Sequence, residues 1–531
     1  MQSRDTIHVT AAEWRWVVLV GGGLVLLAFL PLLWLAATNA AGDEWQFMGF
    51  LNNYRDGATY LSKMVQGASG AWMLHFQHTP EDHNGAFIQI IYPLLGHLAQ
   101  LTGIPSIALF HAARVVASLF MYMAIYQFAA VVWTRLRARR IFFILASIGA
   151  GFGWLLSPLT GDTTYPDLTI PEMFPFYSSL MNVHFPLTIA CLALLASIMV
   201  AVFRPGESQD PSVHNGGLEV GLLSFALSLL YPQALVPFAG ALGLFVVVNW
   251  LRQRRINMRA LRWWLVVVAP AVPVAVYYVA LLNHNPAIAE WNSQNVTAAP
   301  SPLVLALGLG IPLIIALPGI YRAVRRFEPD GDQFMLIWLL TVIVVMYLPT
   351  NVQRRFSAGM MLIIAYFATR SLEDFWFTYV NRRWRARLFA VAVPLMAMSY
   401  VLLLVGNLRV TVGPFLERDY AAAFEWLRAN TRSDDVVLAS PTVSLWIPGW
   451  TGARVVYGHP FETLSAESRE QAVLAWYSDR SASNCEGVLR NGDYAVQYVI
   501  VGPQETELGE TGCADTLTEV IRFGSVGIYA P

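Results

Sequence analysis

Three groups of residues in this 531-residue chain have types and spacing that suit chemistry. The first is a polar stretch behind the first apolar run, carrying Asp43, Glu44, Asp56, His75, His78, Glu81, Asp82 and His83. Asp56 stands in RDGATYLSKMVQGASGAW, where the spacing of Tyr60, Leu61 and Met64 predicts an amphipathic helix lying on a membrane interface. A carboxylate in the first turn of that helix is stabilised as the anion by the helix dipole and free backbone N–H groups, so it would act as a general base toward a nearby hydroxyl. The same position suits plain helix capping. Asp43 and Glu44 fit interfacial solvation. His75, His78 and His83 with Asp82 bring metal-ligating types together, but their HxxH spacing falls in a loop rather than on a firm helix.

The second group is NVQRRFSAG, which sets Arg354 beside Arg355. Guanidinium groups stay charged and grip phosphate bidentately, and they also anchor to lipid headgroups. Lys63 is the chain's single lysine, so nearly all cationic chemistry here is arginine, a bias that a GC-rich genome also produces. The third group is His459 and Glu462 in GHPFET, which would line a groove above a membrane or form a satisfied turn. Asp162, Asp167 and Glu172 offer further acceptor contacts.

The elements that must position these groups are read from hydropathy. Hydrophobic residues make up 56% of the chain and charged ones 13%, too few charges to cover a soluble domain of this size. A net charge of -1 argues against a nucleic-acid partner. Apolar runs at 16–38, 106–133, 141–157, 184–203, 218–250, 261–283, 301–320, 333–349, 358–371 and 388–406 predict about eleven spanning helices, because Tyr231-Pro232-Gln233 splits the 218–250 run in two. The first run is long for a secretory segment and lacks a clear cleavage site, and it is read as an uncleaved anchor. Arginine clusters at 135–140, 251–255, 321–327 and 381–387 predict cytoplasmic loops and a cytoplasmic N-terminus. Residues 87–101 carry Gln89, Pro93, His97 and Gln100 and are expected to lie at the membrane surface as a juxtamembrane helix. These choices make 39–105 a long first external loop within an all-α polytopic membrane domain, 1–406. They leave 407–531 outside as a small α/β domain, with helices at YAAAFEWLRANT and SAESREQAVLAWYS and strands at DVVLAS, ARVVYG and QYVIVG. In an oxidising compartment Cys485 and Cys513 would pair.

The arrangement resembles the GT-C superfamily of integral membrane glycosyltransferases, which includes protein O-mannosyltransferases and lipid A aminoarabinose transferases. Asp56-Gly57-Ala58-Thr59-Tyr60 fits the D-x-x-x-Y setting of those enzymes. YPLLGH at 92–97, HAARVVASL at 111–119, QRRF, and the late phrases VVLASP, IPGWTGARVVYGHPFET and AESREQAVLAWYSD are similar to bacterial members. The resemblance implies transfer of a hexosyl or pentosyl group, with inversion, from a polyprenyl-phosphate donor to a lipid, glycan or protein acceptor on the outer face of a bacterial inner membrane. Asp56 would be the base and Asp43 its runner-up. Arg354 and Arg355 would hold the departing phosphate, and Tyr60, Glu81, Asp82 and His83 would contact the acceptor. Gly57 stands where many relatives carry Glu, which weakens the case for a divalent metal, and no cofactor is firmly implied. The rival reading is a transporter or a lipid or oligosaccharide flippase. Transporters place ionisable groups within their spans and often show repeated halves, whereas here the acids gather in loops and no repeat is visible. A non-catalytic scaffold is the third reading.

Overall fold

Backbone polar groups in lipid must be satisfied within their own segment, so the apolar runs become helices. The computed structural model describes residues 9–38, 40–204, 213–478, 485–509, 513–514 and 517–531. Eight described helices are long and apolar enough to cross a membrane: Ala11–Ala37, Ser106–Val132, Leu136–Thr160, His184–Val202, Pro232–Gln253, Met258–His284, Pro302–Arg326 and Arg382–Gly406. Gly216–Leu230 and Gly331–Met346 are shorter apolar helices. The 358–371 run forms a 12-residue helix, Met360–Ser371, almost wholly buried, and continues through a π-helical turn at Leu372–Trp376. The break at Tyr231 is as the sequence predicts, with Pro232 opening the next helix where its missing N–H costs nothing. The chain is an integral, multi-pass membrane protein.

Contacts divide the chain into two compact units. The first takes Met1–Pro31, Ala112–Tyr277 and Thr297–Gly406. Its core is aromatic, with Phe128 edge-on to Phe142 and Phe238 edge-on to Trp338. One buried charge pair inside it is Glu13 with Arg139, at 2.7 Å, and Glu13 also accepts the Tyr126 hydroxyl at 2.8 Å. Arg137 of the RLRARR cluster pairs with Glu373 at 2.7 Å.

The second unit takes Leu32–His111, Tyr278–Val296 and Asn407–Pro531, so it assembles the first loop with the C-terminal region. β1 (Trp45–Phe47) pairs antiparallel with β2 (Phe415–Glu417). The main sheet contains β3 (Val436–Leu438), β4 (Arg454–Val455), β5 (Arg490–Asn491), β6 (Tyr494–Val501), β7 (Thr518–Phe523) and β8 (Val526–Ala530). Its order is β4-β3-β6-β8-β7, with β5 on β6. The pairs involving β3 are parallel and the β7–β8 hairpin closes one edge antiparallel. The predicted helices form at Arg418–Asn430 and Ala466–Ser478. Cys485 and Cys513 form a disulfide, their Cα atoms 5.7 Å apart.

The predicted interfacial helix is Tyr54–Ala68, and the juxtamembrane segment is the 12-residue helix Ile91–Thr102. The two lie backbone to backbone because small residues meet: a Cβ on Gly96 would stand 2.0 Å from the Met64 carbonyl oxygen. Tyr60 and Tyr92 stack between them with ring centroids 4.0 Å apart. On another side Leu61 packs over Gly449 of the short helix Ile447–Thr451.

Candidate active site

Asp56 sits in the first turn of Tyr54–Ala68, three residues after the N-cap position. The N-cap is Asn53, in the left-handed region at φ 49° and without a side-chain cap bond. That conformation, which asparagine tolerates better than most residues, turns the Asn53 amide to donate to Asp56 Oδ2 at 2.8 Å. The other carboxylate oxygen, Oδ1, faces His459 Nε2 at 3.6 Å. Asp56 remains 36% exposed in its side chain while His459 is 3% exposed. The carboxylate thus combines a helix N-terminus, two oriented neighbours and an open side, which suits taking a proton from a bound hydroxyl. Burial pushes the Tyr92 phenol well above its usual range, and the charge of Asp56 adds to that shift.

About two turns along the same helix, Lys63 is buried with its Nζ 2.5 Å from Glu462 Oε1. His78, also buried, places Nδ1 3.6 Å from Glu462 Oε2 and Nε2 3.0 Å from the Leu445 carbonyl. Burial acts to raise the Glu462 carboxyl, yet the Lys63 ammonium and His78 outweigh it and hold it far below the usual carboxylate range. Burial lowers the His78 imidazole, against the pull of Glu462.

The other expected acceptor contacts have structural partners. Tyr60 is 5% exposed and spends its ring on Tyr92. Glu81 is paired with Arg469, and Asp82 with Arg454 at 3.0 Å. The Arg454 hydrogen bond and charge lower the Asp82 carboxyl. His83 accepts the Phe76 N–H on Nε2 at 2.9 Å, and its Nδ1 faces the Glu81 carbonyl at 3.1 Å. Burial lowers the His83 imidazole. These contacts tie the 75–86 loop to strand β4 and to the helix Ala466–Ser478. Asp43 has a fully exposed side chain, 100%, and pairs with Arg418 at 3.4 Å. Among the described residues no group of three or more His, Cys, Asp or Glu is arranged to hold a metal ion.

In the first unit, Arg354 and Arg355 lie on a 3-10 turn, Gln353–Ser357. The turn is fixed from both sides: the Arg354 N–H donates to the Thr297 carbonyl at 3.0 Å and the Gly359 N–H to the Glu172 carbonyl at 2.9 Å. Gly359 then starts the next helix at φ +71°, a conformation that favours glycine. Arg354 Nε is buried and makes no hydrogen bond among the described residues. Tyr231 donates to Glu172 Oε1 at 3.3 Å, and both arginines act electrostatically on that phenol. The result is a pair of guanidinium groups close enough to Tyr231 to act on its phenol, with the Arg354 Nε–H buried. Asp167 is otherwise engaged, accepting from the Gly153 N–H at 2.9 Å and Ser399 Oγ at 2.5 Å.

No protein-family model and no curated protein matches this chain. Solved structures do match. The oligosaccharyltransferase AglB of Archaeoglobus fulgidus, in complex with an inhibitory peptide and a dolichol-phosphate, superposes with a TM-score of 0.57 at 12% identity, over 98% of this chain and 75% of that one. The fold is that of the GT-C superfamily. Two other GT-C structures agree. ArnT from Cupriavidus metallidurans, bound to undecaprenyl phosphate, gives a TM-score of 0.53 at 13% identity over 98% of both chains. The mycobacterial arabinofuranosyltransferase AftD gives 0.54 at 16% identity over 99% of this chain, which spans 40% of AftD. At such identities the GT-C likeness is one of architecture, and the chemistry rests on this chain's own residues.

Two features of this chain escape sequence reasoning. Arg114 is buried, donates to the Leu180 and Met181 carbonyls at 3.0 and 3.4 Å and covers the Phe29 ring at 4.1 Å. The buried Lys63–Glu462 pair is the other. Its one signal is that the chain's single lysine stands at i+7 from Asp56, on the same helix face.

Proposed function

We propose that this chain is a membrane glycosyltransferase that moves a sugar from a polyprenyl-phosphate donor to an acceptor hydroxyl, with inversion, on the extracytoplasmic face of a bacterial inner membrane. The observation that carries the reading is Asp56, an oriented and partly open carboxylate at a helix N-terminus on a GT-C fold. Asp56 takes the proton of the acceptor hydroxyl as its oxygen attacks the anomeric carbon from the side opposite the phosphate. The sugar–phosphate C–O bond breaks, and polyprenyl phosphate leaves as the anion. Charge grows on the phosphate oxygens in that step, so preorganised guanidinium donors lower its barrier. Arg354, with its buried N–H, and Arg355 are the groups assigned to that work.

The undecaprenyl phosphate of ArnT and the dolichol-phosphate of AglB support a lipid-linked donor here. Asp56 is preferred to Asp43 because the Asp43 side chain is fully exposed and meets the Arg418 guanidinium at 3.4 Å, whereas Asp56 is half-buried and oriented by the Asn53 amide. Glu81, Asp82 and His83 shape the loop under the acceptor rather than touch it, and Tyr60 supports the helix that carries Asp56.

The test uses the purified full-length protein in liposomes with labelled polyprenyl-phosphate sugars and, in turn, envelope lipid, glycan and protein acceptors. The proposal expects free polyprenyl phosphate to accumulate in step with a product of inverted anomeric configuration. Movement of intact lipid-linked sugar across the bilayer, with no cleavage for any donor, would replace it with the flippase reading.

A further inference from the structure

The turn Gly458–Thr463 holds an imidazole against Asp56 by a route that leaves little freedom in its proton placement. Two backbone N–H groups, of Phe461 and Glu462, converge on His459 Nδ1 at 3.1 and 3.3 Å. A nitrogen that accepts two donors carries its lone pair, so the single proton of the neutral ring is on Nε2. Nε2 is the atom that faces Asp56 Oδ1 at 3.6 Å. That separation exceeds a hydrogen bond, and closing it by about 0.6 Å makes one, as catalytic contacts do when a substrate arrives. With Asn53 already donating to Oδ2, each carboxylate oxygen then has its own N–H donor.

The turn itself is locked. Thr463 Oγ1 accepts the N–H groups of Gly458 and His459 at 3.2 and 3.1 Å and donates to the His78 carbonyl at 2.6 Å. Three residues beyond His459, Glu462 reaches Lys63 on the helix that carries Asp56. Asp56 and Lys63 share a helix face, so the turn meets the helix at two rungs, Asp56 with His459 and Lys63 with Glu462. A buried ion pair contributes little net stability but selects one register, because any slip strands both charges.

We propose that His459 is a positioning residue for Asp56, aligning the carboxylate through its Nε2–H, and that the Lys63–Glu462 pair sets the register in which the two meet. The inference rests on Asp56 being the base. Charged and titratable groups around the pair include Tyr92 on the packed helix Ile91–Thr102, Lys63 on the Asp56 helix, and His78 and Glu462 at the turn.

The experiment measures donor turnover by the full-length enzyme in liposomes for His459→Asn, His459→Gln and Asp56→Asn. Asn keeps an acceptor near the Nδ1 position for the turn but lacks the reach to Asp56, whereas Gln places an N–H near the Nε2 position. His459→Asn is expected to lower kcat about 10- to 100-fold with the donor KM unchanged. Losing a donor to the carboxylate raises its pKa, so the acidic limb of the pH–rate profile moves to higher pH. His459→Gln is expected to recover most of kcat and to restore the limb. An unshifted limb with unchanged kcat in His459→Asn, or His459→Gln behaving no better than His459→Asn, overturns the inference. If that happens while Asp56→Asn is inactive, the base assignment survives; turnover by Asp56→Asn sinks both.

Discussion

Lys63→Met keeps most of the buried stem and deletes the ammonium, which makes it the sharpest probe of how the first loop is held to the C-terminal turn. The Lys63 and Glu462 side chains are 1% and 5% exposed, and their charged atoms are 2.5 Å apart. Removing one partner of a buried pair strands the other charge at a cost of about 3–5 kcal/mol. His78 Nδ1, 3.6 Å from Glu462 Oε2, is a second source of positive charge, so proton uptake there brings the loss toward the lower end. Replacing both partners, Lys63→Met with Glu462→Leu, removes the stranded charge and is expected to recover most of the loss, since apolar pairs of similar volume substitute well for buried ion pairs. A two-unit membrane protein does not unfold in one step, so the readout is amide hydrogen exchange of segments 54–68 and 458–463 in nanodiscs. A loss of about 3 kcal/mol speeds exchange there on the order of 100-fold. Because the folded Glu462 carboxyl is held below its unfolded value, the contribution is complete above about pH 4.3 and fades as pH falls toward the folded value. Wild-type exchange in Lys63→Met at pH 7, or a double variant worse than the two single variants combined, would refute the reasoning.

Three further outcomes follow from particular contacts. Gly96→Ala puts a methyl 2.0 Å from the Met64 carbonyl oxygen and 2.8 Å from the Ala68 nitrogen, so the two helices must part; amide exchange of 54–68 and 91–102 is expected to speed up by the equivalent of about 1–3 kcal/mol. His78 and His83 both have imidazoles lowered by burial, so the unfolded chain binds more protons than the folded one below about pH 6.5, and stability of the second unit falls as pH drops from there. Exchange or proteolysis of 75–86 measured between pH 7.5 and 5.5 checks this, and a flat profile contradicts it. Arg354→Lys and Arg355→Lys keep the charge but lose the planar fork, and each is expected to lower kcat/KM for the donor about 10-fold, the worth of one charge-assisted hydrogen bond. Unchanged kcat/KM in both would leave headgroup anchoring as their role.

Helix positions are legible here because a bilayer leaves few alternatives for an apolar run, and the Tyr231-Pro232 break and the 54–68 amphipathic helix follow from period and proline chemistry alone. The short strands β3, β4 and β6 also announce themselves as branched apolar runs. β1 and β2 do not: each has three residues, and their partners lie far apart in sequence, where no periodicity links them. The same reason hides the assembly of 32–111 with 407–531. Glu81 and Asp82 read as acceptor contacts because loop charges look alike whether they meet substrate or Arg469 and Arg454. His459 and Glu462 sit in an irregular turn without a period, so only the position of the lone Lys63 hinted at their partner.

Asp56→Asn tests the central claim most directly, because the change is isosteric and leaves an oxygen for the Asn53 amide while deleting the base. With purified full-length protein, turnover of the polyprenyl-phosphate sugar that serves the wild type is expected to fall about 10²- to 10⁴-fold, with donor affinity unchanged. Turnover within a few-fold of wild type would contradict the assignment of Asp56 as the base.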